Sequence, residues 1–182
     1  MKNIDGKIRV HPVLWKLHGK QAYLKDLVLT YLAAVAVAVF NLVNADEQSA
    51  GWMILLIVLS LDVGGGVISN FPRGTIDYYR GRGLSPHAFI WLHLIQCLVL
   101  AGLFQGVFWP ILLVSGLTLT SASVVISLHA TPYRPQISHF VFVILLLAVQ
   151  AMPGMPVPAV VLLLLMCLKL VVAFAVCWQP SK

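Results

Sequence analysis

Charge is what this sequence has least of. Charged side chains make up 10% of its 182 residues, against about 25% in soluble proteins. So few could not cover a water-facing surface, which excludes a soluble globular domain. Acids are the scarcest, six Asp and Glu against twelve Lys and Arg. Cysteine is rare too: Cys97, Cys167 and Cys177 all lie inside apolar stretches. An odd set without loop partners argues for packing and against a disulfide framework. No HxxxH or HExxH spacing and no paired histidine boxes occur. No repeat relates the two halves, which weakens an inverted-repeat transporter reading.

What the sequence has in abundance is apolar length. Hydrophobic residues make up 60% of the chain, in runs long enough to cross a bilayer. The chain reads as an all-α, polytopic integral membrane protein, a bundle of six transmembrane helices at 27–45, 51–71, 87–104, 111–130, 137–152 and 159–178. Every Lys and Arg except Lys169 sits in the N-terminal segment, the 72–86 loop, the 131–136 loop or the C-terminus. The positive-inside rule then gives an N-in, C-in protein of the cell membrane, both termini cytoplasmic. The net charge of +6 is thereby assigned to orientation, not to nucleic acid. The partners expected are membrane lipids and an apolar small molecule, with an oligomer left open. Val43-Asn44-Ala45 loosely resembles a leader cleavage site, but the run before it is of spanning length, so the first helix is read as uncleaved.

Residues 1–26 form a basic cytoplasmic segment, and 179–182 a short cytoplasmic tail. Val10, Leu14, Leu17 and Leu24 fall near one helical face, with Trp15 and Tyr23 as anchors. An amphipathic helix lying on the membrane surface is expected there, with Gly19 as the place for a break. The alternative is a basic tail that only orients the first span.

The most informative stretch runs from Gly51 to Gly83. Asp62 lies deep in the second span, and an ionisable residue there costs about 2.5–3.5 kcal/mol on insertion scales. Gly64, Gly65 and Gly66 follow at once, marking either a broken helix at a binding site or a close-packing face. Asp62 is nine positions before Phe71, and Lys169 is nine before Trp178. At about 1.5 Å per residue both lie about 13 Å below the cytoplasmic boundary. Opposite charges at matched depth invite an ion pair.

Other polar residues gather in the same half of the bilayer. Asp62, Gly66 and Asn70 share one helical face, as do His139 and Gln150 on the fifth span. Gly116, Thr120, Ser123 and Ser127 give the fourth span a hydroxyl-bearing stripe. His87, His93, His129 and His139 all belong to the cytoplasmic half. Asp62, His93 and His139 from separate helices could together hold a divalent metal such as zinc or iron. In the 72–86 loop, Arg73 and Arg80, with Arg82, Asp77, Tyr78 and Tyr79, could hold an anionic head group. The aspartate clusters by which intramembrane prenyltransferases and alcohol phosphotransferases hold magnesium are missing.

These residues support an integral-membrane enzyme acting on an apolar or lipid-like molecule from the cytoplasmic leaflet. Asp62 and Lys169, with His93 and His139, carry the acid–base or metal-assisted chemistry, while Asn70, Asp77, Arg73, Arg80, Ser123, Ser127 and Gln150 bind substrate. The competing reading is a proton-coupled transporter or channel subunit gated by the Asp62–Lys169 pair. A third is an assembly subunit with no site of its own.

Overall fold

The computed structural model describes residues 6–46 and 48–178, so the 179–182 tail lies outside the described residues. Two short strands, β1 (Lys7–Arg9) and β2 (Gln21–Tyr23), flank a one-turn helix α1 (Trp15–His18). The remaining helices are α2 (Leu24–Val43), α3 (Ala50–Ser69), α4 (Arg73–Arg80), α5 (Pro86–Leu92), α6 (Leu94–Leu103), α7 (Phe108–Ser127), α8 (Arg134–Gln150) and α9 (Val157–Cys167). A π-helical stretch, Leu168–Phe174, and a last turn α10 (Ala175–Cys177) continue α9.

Five helical runs are long and apolar enough to cross a membrane: Leu24–Val43, Ala50–Ser69, Pro86–Leu103, Gln105–Ser127 and Val157–Cys177. The apolar helix α8 has 17 residues and falls short of that length. Each apolar helix starts one to three residues before the expected boundary, because interfacial residues such as Leu24 and Arg134 extend the helix beyond the apolar run. Prolines open several of them. Pro86, Pro135 and Pro158 stand in first turns, where a missing N–H costs nothing.

The run from α9 to α10 is the centre of the bundle, 61% of its apolar window being buried against 22% for α2. Leu162, Leu163, Met166, Leu170 and Phe174 form the middle of the core with Leu56 and Val63 of α3, Leu100 of α6 and Leu119 of α7. The outer helices turn apolar side chains outward, Leu29, Leu32, Val35 and Val39 of α2 among them. Such a surface is stable against lipid and not against water.

The three glycines do not break α3, which is helical from Ala50 to Ser69. They let two other groups in. A Cβ on Gly64 would lie 2.9 Å from the Val37 side chain, and one on Gly65 would lie 3.3 Å from the Ala34 Cβ. Both therefore seat α2 against α3 at close range, the small-residue packing of membrane helices. A buried bond from Asn41 Nδ2 to Ser60 Oγ at 2.8 Å joins the same two helices. Gly66 faces the other way, toward Lys169.

Residues 1–5 lie outside the described residues, and from residue 6 on the expected amphipathic helix is corrected to an antiparallel hairpin, so the chain is not purely α. Lys7 pairs with Tyr23, Ile8 with Ala22 and Arg9 with Gln21, and Val10 N–H donates to the Lys20 carbonyl at 3.1 Å. Pro12 opens a 3-10 turn, and Gly19 ends α1 at φ 74°, a conformation that side chains other than glycine resist. Gly19 also meets Gly74 of α4 backbone to backbone: a Cβ on it would sit 2.2 Å from the Gly74 carbonyl oxygen. Thr75 Oγ1 donates to the Leu17 carbonyl at 2.8 Å. The hairpin is thus docked on α4, inside what the sequence presented as a basic loop.

Two outcomes follow from this docking. Gly19→Ala should undock the hairpin, since left-handed backbone costs a side chain about 1–2 kcal/mol before the clash is added. Trypsin should then cleave after Lys16 and Lys20 much faster than in the parent, and unchanged protection would refute the contact. The second outcome concerns pH. His18 is buried with Nε2 3.2 Å from Tyr31 Oη, and burial holds its pKa below the ordinary 6.5. A histidine depressed on folding stabilises the docked state in full above its unfolded value of about 6.5, and that contribution is lost as pH falls through and below it. Protection factors in the hairpin, each exchange rate referred to the intrinsic rate at the same pH, should therefore fall as samples are taken from neutral to mildly acidic pH, and His18→Gln should flatten the trend.

Candidate functional site

The polar centre of the bundle is built on one residue of the last helix. Lys169 is 4% exposed and lies in the π-helical stretch, where a widened turn leaves carbonyls without their usual helical partners. Side chains from two neighbouring helices meet them. Ser138 Oγ of α8 donates to the Val171 carbonyl at 2.8 Å. Asn70 Nδ2, at the C-cap of α3, donates to the Lys169 carbonyl at 3.4 Å. At the end of the chain's last helix, Arg134 donates to the carbonyls of Trp178, at 2.8 Å, and Val176.

Lys169 Nζ reaches Asp62 Oδ2 at 2.8 Å, so the pair expected from matched depth is formed. Gly66 makes the approach feasible: a Cβ there would lie 2.4 Å from Lys169 Cε and 2.7 Å from Nζ. Gln96 Nε2 of α6 donates to the same Asp62 oxygen at 2.7 Å. Asp62 Oδ1 has no hydrogen bond among the described residues, and the carboxylate is 35% exposed. It faces a cavity of about 230 Å³.

Asp62, Gly66 and Asn70 line that cavity together, the shared face that their spacing implies. His93 lines it from the junction of α5 and α6. Its Nδ1 lies 2.8 Å from the Phe89 carbonyl, and a carbonyl only accepts, so Nδ1 carries a proton and the neutral ring has its lone pair on Nε2. Phe89 packs on His93 with centroids 4.9 Å apart, on Phe174 at 4.2 Å and on Tyr79 at 4.8 Å. This aromatic wall stands beside the charged cluster. Tyr79 also lines the cavity; burial, then Tyr78 and the Asp62 charge, push its phenol above 10, so it stays protonated. Lys16 and Leu17 of α1 complete the lining.

Several expected members are placed elsewhere. His139 is exposed on α8 with Nδ1 2.6 Å from the Pro135 carbonyl of its own helix. The set Asp62, His93 and His139 is therefore not assembled, and no group of three metal-capable side chains occurs among the described residues. The rotation of α8 supplies the physical reason: it buries Ser138 against Val171 and turns the next residue, His139, outward. Gln150 is exposed at the far end of α8, and Ser127 Oγ donates to the Ser123 carbonyl of its own helix. Asp77 and Arg80 pair with each other at 2.6 Å on the surface. The Arg73 side chain lies outside the described residues.

Gln96, Lys16 and Leu17 were missed as site residues, and Tyr79, expected beside an anionic head group, lines this cavity instead. Gln96 had a legible signal, an amide three residues after His93 on one helix face. The others come to the cavity only through the docked hairpin and α4. Comparison with protein-family models, curated proteins and solved structures gives no match, so function rests on this chain's own residues.

The Gly66 contact gives a direct check of the pair. Gly66→Ala should displace the Lys169 side chain and cost about 1–3 kcal/mol, less than a fully enclosed pair because Asp62 meets solvent. In a Lys169→Ala background the same change should cost little, since the atoms it strikes are gone. Thermal unfolding in detergent measures both, and equal losses in the two backgrounds would separate Gly66 from the lysine.

Proposed function

We propose that this chain is a six-span, N-in and C-in membrane enzyme that performs acid–base chemistry on a lipid-like molecule at its cytoplasmic half. The observation that carries this reading is the shared cavity of Asp62 and His93. One carboxylate oxygen is held by Lys169 and Gln96 while the other is uncommitted, and His93 lines the same cavity with its Nδ1 engaged by the Phe89 carbonyl, which leaves Nε2 for chemistry. An ion-paired carboxylate accepts or orients protons better than it donates them. His93 is then the general base, Asp62 the group that orients the reacting hydroxyl or amine, and Tyr79 the proton donor nearest the mouth. Phe89, backed by the buried Phe174, and Leu92 offer an apolar wall for the substrate's body.

The half of α3 before Asp62 argues for an enzyme over a carrier. Leu56 and Leu59 are packed with Leu100, Leu162 and Met166 in one apolar core, and the Asn41 Nδ2 donor is committed to Ser60. A proton-coupled carrier needs a polar lining on both sides of its gating pair. Six crossings require α8 to span with its 17 residues, about 25 Å at the helical rise, as a short span in a locally thinned bilayer does. The even number also brings the end of the last described helix, at Trp178, to the side of the hairpin and the Arg80–Arg82 turn.

Untargeted lipid mass spectrometry of membranes holding the parent, Asp62→Asn or His93→Gln at matched abundance provides the test. One lipid should be depleted and a product raised by the parent alone, with turnover down about 10²–10⁴-fold in either variant. Identical profiles for parent and variants would overturn the reading. Asp62-dependent proton flux into sealed vesicles without lipid conversion would replace it with the carrier.

A further inference from the structure

A second and larger cavity, about 900 Å³, lies between the hairpin and α4 above the ends of α2 and α3. Three cations line it: Lys7, Lys20 and Arg82. Each is laid on an aromatic ring and none forms an ion pair among the described residues. Lys7 Nζ is 5.4 Å from the Tyr23 centroid, Lys20 Nζ 5.7 Å from the Trp15 centroid, and the Arg82 guanidinium carbon 4.7 Å from the Tyr78 centroid. A ring face steadies a cation without consuming its hydrogen-bond donors. A guanidinium stacked this way keeps its in-plane N–H groups for an anion. Two acids share the lining, but Asp77 is taken by Arg80 at 2.6 Å, which leaves Asp26 against three cations.

The floor carries an independent sign of a missing partner. Thr30 of α2 is 5% exposed, lines this cavity and has an Oγ1 with no hydrogen-bond partner. We propose that this cradle binds a phosphate-bearing group, recognised by Lys7, Lys20 and Arg82. Its volume is in the range of small-ligand sites, about 300–1,000 Å³. Its place at the ends of two apolar helices suits the phosphate of a phospholipid, and a soluble phosphate ester presents the same chemistry. The inference needs nothing of the Asp62 chemistry, and a failure there leaves it standing.

Calorimetric titration of the full-length protein in an uncharged detergent tests it, with dihexanoyl phosphatidic acid, glycerol 3-phosphate and dihexanoylglycerol as probes. Saturable binding of the phosphatidic acid is expected, and weakening by about tenfold or more in Lys20→Gln/Arg82→Gln. All three cations are exposed, so these variants fold. Arg9→Gln removes a charge from the same hairpin outside the cavity and should bind as the parent does. If glycerol 3-phosphate binds as tightly as the lipid, the natural ligand is a soluble ester; if it does not bind, the ligand is a membrane phospholipid. Equal binding of dihexanoylglycerol, or full affinity in the double variant, would overturn the proposal.

Discussion

An ammonium and a carboxylate brought together inside an apolar bundle set the terms for the middle of this protein. Either charge alone is costly there, about 2.5–3.5 kcal/mol on insertion scales, and each relieves the other only if the approach is close. At 2.8 Å it is. That closeness is prepared by residues that carry no charge. Gly66 withholds a side chain that would strike the lysine, and Gln96 supplies a second donor to the same oxygen. The π-helical stretch around Lys169 would leave backbone carbonyls in hydrocarbon, and Ser138 and Asn70 occupy two of them. Removing the pair would strip the purpose from four helices' worth of local accommodation.

Placement of the pair gives the bundle its asymmetry. The part of α3 before Asp62 is packed in the apolar core, and the polar crossing between α2 and α3 there is the buried Asn41–Ser60 bond. After it come Gly66, Ser69 and Asn70, then α4 and the hairpin, with polar and aromatic side chains. The Phe89 and Tyr79 rings and the carboxylate oxygen without a hydrogen bond among the described residues thus stand within one small cavity at that end.

Some of this was legible before any coordinates. Depth counting brought Asp62 and Lys169 together because helical rise is a constant and the spans ended at clear markers, Phe71-Pro72 and Trp178. The Asp62, Gly66, Asn70 face followed from spacing for the same reason. Spacing could not say which way α8 is rotated, and so His139 was expected inside and is found outside. The glycine triplet was readable as close packing or as a break; only the neighbours decide, Val37 and Ala34 on one side and Lys169 on the other. The hairpin failed for a different cause. Short runs such as Lys7–Arg9 alternate and repeat too briefly to separate strand from helix, and what fixes them is a contact 55 residues away, Gly19 on Gly74.

That contact ties the two cavities into one construction. Helix α1 is a single turn, yet Lys16 and Leu17 line the Asp62 cavity while Trp15 and His18 line the cradle. Ser69 borders both from the end of α3. A shift of the hairpin must therefore alter the two spaces together, because no residue of α1 is free to stay with one when the other moves. The docking surface is small and made of backbone: Gly19 against Gly74, with the Thr75–Leu17 bond beside it. Backbone contacts of that kind are either fully made or lost, since no side chain can relax to preserve part of them. The wall of the inner cavity is thus held by the same few atoms that close the outer one, and the hairpin end of the molecule behaves as one unit.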